Sequence, residues 1–104
     1  KKFLFVGDVE IEGENKAIEN FSSVLKADVL KIGHHGSNTS SGEDFLYRVN
    51  PSIGIISCGN YSYYHHPSAG VTKRLSDSNI QYFTTFDCGT ITIETDGKTL
   101  WFVD

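Results

Sequence analysis

The segment ADVLKIGHHGS (residues 27–37) joins a short apolar run to a glycine and two adjacent histidines. Val29 to Ile32 read as a buried β-strand, because a short apolar run bounded by a turn signal is typical of a strand inside a sheet. A second histidine pair stands in YYHHPS (residues 63–68), and the two pairs contain all four histidines of the chain. This distribution, with one pair directly after a strand, indicates a site at the end of a sheet.

The sequence around this segment predicts strands that alternate with helices. Apolar residues recur at helical spacing in three segments, and we expect Ser40 or Ser41 to be the N-cap of the second of these helices. Apolar or β-branched runs bounded by Gly, Pro or Asn predict the strands. The expected strands are KKFLFVGD (1–8), ADVLKIG (27–33), SIGIISCG (52–59) and IQYFTTF (80–86), and the expected helices are GENKAIENFSSVL (13–25), SSGEDFLYRVN (40–50) and SAGVTKRLSDSN (68–79).

The last segment of the chain has a different pattern. GTITIETDGKTLWFVD (residues 89–104) contains two alternating runs that flank Asp96-Gly97. Asp-Gly between β-rich runs predicts a hairpin with a type I′ turn, which needs positive φ at both central residues. The predicted order is therefore β-α-β-α-β-α-β followed by a C-terminal β-hairpin. This is an α/β fold with neighbouring parallel strands in one domain.

Composition limits the classes of protein that this chain can belong to. Its 104 residues are 38% hydrophobic and 21% charged, which is ordinary for one globular domain. No run of 18 apolar residues occurs, so we expect no membrane contact from this segment. The net charge is −4 and no basic stripe is present, so the chain alone offers little electrostatic attraction for nucleic acid. Cys58 and Cys88 are not in a CxxC pair and are expected to be small buried thiols at strand ends.

Polar residues follow three successive predicted strands. Asp8 follows the first strand, the pair His34-His35 the second, and Asn60 with the second histidine pair the third. In an open α/β sheet, ligands bind at the carboxyl ends of the strands, and His and Asp are common ligands of zinc and similar ions. Taken singly, each feature is also typical of an ordinary turn or an exposed loop. Together they predict a shared site at one edge of the sheet.

The chemistry of such a site suits hydrolysis. A carboxylate can bridge two divalent ions, and two such ions can generate hydroxide near neutral pH. A histidine outside the metal shell can protonate a leaving group, and Ser37 could orient a ligand. One aspartate and one or two histidines do not complete a binuclear site, so further ligands are expected from elsewhere.

Five stretches resemble a known family: FLFVGD, ADVLKIGHHGSNTS, NPSIGIISCG, HHP and FDCGTITI. Together they resemble the C-terminal half of a metallo-β-lactamase-fold domain, most of all the hydrolase domain of ComEC-type DNA-internalization competence proteins. The resemblance implies half of an αββα sandwich and a site at the sheet edge. It also implies two divalent metal ions, zinc or manganese, in the intact domain.

The resemblance also implies roles for individual residues. Asp8 matches the aspartate that bridges the metals, and the histidine pair matches a later metal ligand, with His35 favoured over His34. His66 matches a catalytic histidine near the substrate. The candidate substrate-binding residues beside them are Ser37 and Asn60.

The chain departs from the family pattern at several points. His65 stands where the family more often has glycine, HPSAG replaces HPHPE, and Phe86 intervenes before Asp87. The family's HxHxDH motif is absent. Residues 1–104 are therefore expected to be the C-terminal half of a domain whose N-terminal half is the partner. The isolated chain is expected to be inactive and to self-associate through exposed apolar surface.

Three functions remain open on sequence grounds. The first is a metal-dependent hydrolase that cleaves phosphodiester bonds, as a competence-related nuclease. The second is a phosphorylcholine or other phosphoester hydrolase of the same fold, and the third is a non-catalytic α/β interaction module. Activity of the intact parent with DNA or with choline esters separates the first two, and absence of metal indicates the third. The resemblance implies membrane association, with this domain on the extracytoplasmic side.

Overall fold

A computed structural model describes residues 1–59 and 66–103 of the chain. In these residues strands and helices alternate in the predicted order up to the fourth strand. A short helix that was not predicted (Thr85–Cys88) then precedes the hairpin, so the fourth strand ends at Thr84 and not at Phe86. The strands are β1 (Phe3–Phe5), β2 (Val29–Lys31), β3 (Ile53–Ile56), β4 (Gln81–Thr84), β5 (Thr92–Thr95) and β6 (Leu100–Val103). The helices are α1 (Ile11–Phe21), α2 (Glu43–Val49), α3 (Ala69–Asp77) and the short α4 (Thr85–Cys88).

The first four strands form one parallel sheet in the order β1-β2-β3-β4. Phe5 pairs with Lys31, Lys31 with Ile55, and Ile55 with Phe83. Because the strands are parallel, their carboxyl ends meet at one edge of the sheet. β5 and β6 form a separate antiparallel pair. The predicted α/β fold is confirmed.

One face of the parallel sheet carries the core. Alternate strand residues point to this face, as the two-residue period of a strand requires. The core joins them to apolar residues of α2 and α3 and the segments beside them, and Ala17 and Ile18 of α1 pack against it. The fully buried members of this core are Leu30, Ile32, Leu46, Val49, Ile56, Val71 and Leu75.

The opposite face of the sheet carries a second set of apolar residues. Phe3, Phe5 and Ile55 line an open cleft there, together with Ile91 and Ile93 near the hairpin. Phe5 is 74% exposed, which is a large apolar exposure for a strand residue. This face is therefore only partly covered by the described residues.

The start of α2 differs from the sequence expectation. The N-cap is Gly42, so the prediction of Ser40 or Ser41 was wrong. Both serines are buried, and Ser41 has a positive φ of 58°, whereas an N-cap residue has an extended backbone. The two serines belong instead to the tightly held loop that precedes the helix.

The hairpin forms as predicted, but its turn is of another kind. Thr95 pairs with Leu100, so four residues connect the strands. Of the two central residues expected to have positive φ, only Gly97 does, at 92°. Asp96 instead accepts hydrogen bonds of 2.8 Å through Oδ1 from the backbone N–H groups of Lys98 and Thr99. The aspartate side chain thus stabilises a longer turn than type I′.

Both cysteines are free thiols. Cys58 is half-buried after β3, but Cys88 at the end of α4 is exposed, so the expectation of two buried thiols was wrong for Cys88. Cys88 lies in the short helix α4 and not at the end of a strand. No helix among the described residues is both long and apolar enough to cross a membrane.

Candidate functional site at the carboxyl ends of the strands

The loop that follows β2 has an unusual backbone. We call residues 33–42 the histidine loop. His34, His35 and Gly36 have φ values of 51°, 55° and 82°, so three successive residues are left-handed. For a residue with a Cβ atom this conformation costs about 1–2 kcal/mol. Such strain persists only where the surrounding contacts determine it, and it is concentrated at functional sites.

Backbone hydrogen bonds hold this conformation from two sides. The N–H of His34 donates to the carbonyl of Gly7 at 2.9 Å, which joins the histidine loop to the segment after β1. We call that segment, residues 7–10, the Asp8 loop. The N–H of Ser68 donates to the carbonyl of Gly36 at 2.9 Å, which joins the histidine loop to the start of α3. Backbone hydrogen bonds thus join the segments that carry the predicted residues at this edge of the sheet.

The His35 side chain is oriented by a backbone carbonyl. Its Nδ1 lies 2.8 Å from the carbonyl oxygen of Ser57, just beyond β3. Since a carbonyl only accepts, Nδ1 carries the proton and Nε2 of the neutral ring keeps a free lone pair. The ring is exposed. A histidine that donates one ring N–H to a carbonyl and offers the other nitrogen is arranged as metal-ligating histidines usually are.

The His34 side chain is arranged differently. Its Nδ1 is buried and finds no hydrogen-bond partner among the described residues. Leaving a buried polar atom unpaired costs about 1–3 kcal/mol. The ring makes an edge contact with His66, with ring centroids 5.7 Å apart. Within the described part of the chain, His34 therefore has an unpaired nitrogen beside a second imidazole.

His66 belongs to this group through its contact with His34. Burial lowers the pKa of His66, and repulsion from His34 and His35 lowers it further. A lowered pKa keeps the imidazole neutral near pH 7, so it can accept a proton from a reacting group. The peptide bond between His66 and Pro67 is cis.

Asp8 is exposed at the first strand end, directly after Gly7, which has a positive φ of 59°. Lys31, the last residue of β2, is half-buried near it. Burial lowers the pKa of the Lys31 ammonium, and the charge of Asp8 acts in the opposite direction. A cation thus lies close to the carboxylate, which the sequence pattern did not indicate.

The remaining predicted residues contribute less to this geometry. Ser37 is buried, and its hydroxyl lies 2.8 Å from the hydroxyl of Thr39 and accepts from the Thr39 N–H at 3.3 Å. Its hydrogen bonds therefore serve the loop itself, and its role with substrate stays a prediction. Asn60 and His65 lie outside the described residues.

The side chains at this sheet edge include atoms of the types that bind metal ions. Within residues 1–59 and 66–103, no three His, Cys, Asp or Glu side chains converge closely enough to hold a metal. The free Nε2 of His35, the unpaired Nδ1 of His34 and the exposed carboxylate of Asp8 are nevertheless donors of the type that zinc and manganese accept. The donor types suit zinc or manganese, but the described residues by themselves do not complete a metal site.

Sequence reasoning missed two residues that support the histidine loop. Glu14 of α1 is buried with 1% exposure, and Arg74 of α3 binds carbonyl groups of the loop. A signal for Glu14 existed, because it lies one helical turn before Ile18 and therefore on the face that packs against the core. Arg74 similarly lies three residues after buried Val71. Neither signal specifies what the charged group binds.

Paired substitutions at position 35 test the left-handed backbone. We expect His35→Gly to be more stable than His35→Ala by about 1 kcal/mol, because both remove the side chain and only glycine adopts positive φ without strain. At the exposed helical position Glu19 the order should reverse, with alanine more stable by about 1 kcal/mol. Urea unfolding of the four variants measures both differences. If the alanine variant is the more stable one at both positions, the backbone at His35 is not strained.

The comparisons with known proteins identify relatives of this chain among competence-related proteins. No protein-family model matches the chain. The chain is 43% identical over 89 residues to ComE operon protein 3 of Bacillus subtilis (strain 168), covering 86% of this chain and 11% of that protein. It is 37% identical over 82 residues to competence protein ComA of Neisseria gonorrhoeae, covering 79% of this chain and 12% of that protein.

A third relative is recombination protein 2 of Haemophilus influenzae (strain ATCC 51907 / DSM 11121 / KW20 / Rd), 41% identical over 73 residues, or 69% of this chain and 9% of that protein. The chain is thus an α/β module homologous to one segment of competence-related proteins. It spans about a tenth of the length of the curated relatives that it matches.

Proposed function

We propose that this chain is the C-terminal half of a metal-dependent hydrolase domain of the metallo-β-lactamase type, which cleaves phosphodiester bonds during competence-related DNA uptake. The relatives named for competence support the process, and the family resemblance supports the reaction. The donor groups at the sheet edge support the metal dependence. Zinc or manganese, as two ions in the intact domain, is the proposed cofactor.

The observation that carries the proposal is the joining of the Asp8 loop to the histidine loop. The 2.9 Å hydrogen bond from the His34 N–H to the Gly7 carbonyl holds the carboxylate and the histidine pair at one sheet edge. This connection supports the proposal because it keeps both groups at the carboxyl ends of neighbouring strands, where ligands bind in open α/β sheets.

Each residue then has a definite task. Asp8 would hold the metal through its carboxylate, and His35 would bind it through Nε2 while its Nδ1–H donates to the Ser57 carbonyl. His34 is the alternative ligand through its unpaired nitrogen. His66, held neutral, accepts or delivers a proton at the substrate. When bound, the divalent ions supply a hydroxide nucleophile and neutralise phosphoryl oxygens.

The missing ligands come from an N-terminal half of the same domain. That half covers the open face of the sheet, where Phe5 is 74% exposed beside Phe3 and Ile55. Burying this face supplies the hydrophobic free energy of association, and without it the isolated chain self-associates. In the whole protein the domain lies on the extracytoplasmic side of a membrane, and this segment itself makes no membrane contact.

The test uses the full-length protein that carries this segment, loaded with Zn²⁺ or Mn²⁺. We expect Asp8→Asn to lower kcat/KM for DNA cleavage by about a thousandfold, roughly 4 kcal/mol of transition-state stabilisation. Asp44→Asn is the control, because Asp44 is an exposed carboxylate in the first turn of α2. If Asp8→Asn also loses bound metal and Asp44→Asn does not, the loss of activity arises at the metal site.

The substrate is decided in the same assay. Cleavage of DNA without cleavage of a choline phosphoester supports the nuclease. The reverse preference establishes the phosphorylcholine hydrolase instead. Full activity of Asp8→Asn, or a purified protein without metal and without activity, contradicts a hydrolase and leaves the interaction module.

A further inference from the structure

Two charged side chains from different helices hold one residue of the histidine loop. Ser41 is buried with 1% exposure and has a positive φ of 58°. Its N–H donates to Oε2 of Glu14 at 2.5 Å, and its carbonyl accepts from Nε of Arg74 at 2.8 Å. Both backbone groups of a strained residue are thus bound by ionisable side chains, one from α1 and one from α3.

The contacts of the two side chains extend to the neighbouring residues. Arg74 also donates through Nη2 to the Ser40 carbonyl at 3.0 Å and through Nη1 to Oδ1 of Asn38 at 3.2 Å. Glu14 accepts a second hydrogen bond at Oε1 from the Gly42 N–H at 2.9 Å. Three donors of one planar guanidinium reach three acceptors, an arrangement that lysine cannot reproduce.

The same part of the histidine loop is bonded to the Asp8 loop and to the start of α1. The hydroxyl of Ser40 donates to the Val9 carbonyl at 2.5 Å. The N–H of Ile11 donates to the Thr39 carbonyl at 2.8 Å. Residues 38–42 are therefore held by Glu14 and Arg74 on one side, and on the other they bind the residues that follow Asp8.

Burying the Glu14 carboxylate costs free energy, which indicates that its contacts with the loop are needed. Burial raises its pKa, and this effect exceeds the opposing hydrogen bonds from Gly42 and Ser41 and the charge of Arg74. An ordinary loop needs only a glycine or proline turn and no buried carboxylate. A loop whose exact position matters can retain a buried polar network, because a satisfied network specifies one arrangement.

We propose that Glu14 and Arg74 are positioning residues that fix the spacing between Asp8 and the His34-His35 pair. They touch none of the three side chains directly and act through the backbone of residues 38–42. The inference rests on the proposed function, because the spacing matters only if both loops supply ligands to one metal centre.

The test compares Arg74→Gln with Lys73→Gln in the full-length protein that carries this segment, because the isolated chain lacks the ligands of the N-terminal half. Both variants lose one positive charge from α3, but Lys73 is exposed and pairs only with Asp77 at 2.8 Å among the described residues. Zn²⁺ alone is the probe, titrated against the imidazole ¹⁵N signals of His34 and His35. The amide signals of the parallel sheet report separately whether each variant is folded.

We expect Arg74→Gln to weaken Zn²⁺ binding about tenfold and to shift the His35 tautomer signals, as loss of an outer-shell support usually does. Lys73→Gln should leave both unchanged. If Arg74→Gln lowers stability but keeps the imidazole signals and the Zn²⁺ affinity of the wild type, the pair is merely structural and the inference is wrong.

A milder variant keeps the test decisive if Arg74→Gln does not fold. Of the side-chain hydrogen bonds between described residues, Asn38→Ala removes the 3.2 Å contact with Arg74, and it changes an exposed residue. It should therefore shift the same signals less and in the same direction. If Arg74→Gln does not fold and Asn38→Ala leaves the imidazole signals of His34 and His35 unchanged, the inference is wrong. Failure of the proposed function has a different signature. In that case the wild-type imidazole signals do not respond to Zn²⁺ at all, while Arg74→Gln still changes them.

Discussion

Gly36→Ala should destabilise the chain by about 3 kcal/mol, because it combines two costs. Gly36 has a positive φ of 82°, and a residue with a Cβ atom loses about 1–2 kcal/mol there. The added Cβ would also lie 2.7 Å from Cβ and 2.9 Å from Cα of Pro67. Inserting a methyl group into such a contact costs a further 1–3 kcal/mol or so.

The control for this substitution is Gly7→Ala. Gly7 also has a positive φ, at 59°, but an added Cβ there meets nothing within 4 Å. The loss should therefore be the backbone cost alone, about 1 kcal/mol. Urea unfolding of both variants gives the comparison. Equal losses mean that Gly36 is required for its backbone conformation only, and that the contact with Pro67 is unimportant.

The same substitution should disturb the site. Pro67 directly follows His66, and the N–H of Ser68 donates to the Gly36 carbonyl at 2.9 Å. Pushing Pro67 away therefore moves His66 away from His34, whose ring centroid lies 5.7 Å from that of His66. Gly36 thus connects the stability of the loop with the arrangement of the imidazoles.

Glu14→Ala is the second large effect, with an expected loss of about 3 kcal/mol in the free energy of unfolding. The substitution leaves the N–H groups of Ser41 and Gly42 without their carboxylate acceptor. An unsatisfied buried donor costs about 1–3 kcal/mol. Glu12→Ala is the control, because Glu12 is exposed in the same helix turn and should change stability by less than about 0.5 kcal/mol. Similar losses in both variants contradict the network.

The pH dependence of Glu14→Gln gives a further check on the same network. Burial raises the pKa of Glu14 in the folded chain above its ordinary value of 4.5. The unfolded chain therefore releases this proton first as pH rises, and the contribution of the protonated form to stability is lost as pH passes through the raised pKa. Since glutamine cannot ionise, the wild type should lose stability relative to Glu14→Gln from about pH 4.5 upward. A constant difference across this range contradicts the raised pKa.

The order of elements was predictable because it depends on local patterns. The short apolar runs before Gly7-Asp8 and Gly33-His34 indicate strands because of their length and the glycines that end them, and the helical period of α1 and α3 is visible in the sequence. The parallel pairing then follows from alternation of strands and helices. The arrival of Asp8 and the histidine pair at one sheet edge is a direct consequence.

Finer features were not predictable because they depend on residues distant in sequence. Ser41 was expected to cap α2, but Glu14 and Arg74, 27 and 33 residues away, bind its backbone instead. The carbonyl of Ser57, 22 residues away, decides which His35 nitrogen is free. Local propensity carries no information about such partners.

The sequence alone therefore determined the α/β fold, the edge of the sheet that gathers the polar residues, and the hairpin at the end. Only the tertiary structure decided the left-handed backbone at His34 and His35, the unpaired nitrogen of His34 and the burial of Glu14. The physical reason is range: hydrophobic periodicity is set within a few residues, whereas strain and burial of charge are stable only where contacts from several elements meet at one loop.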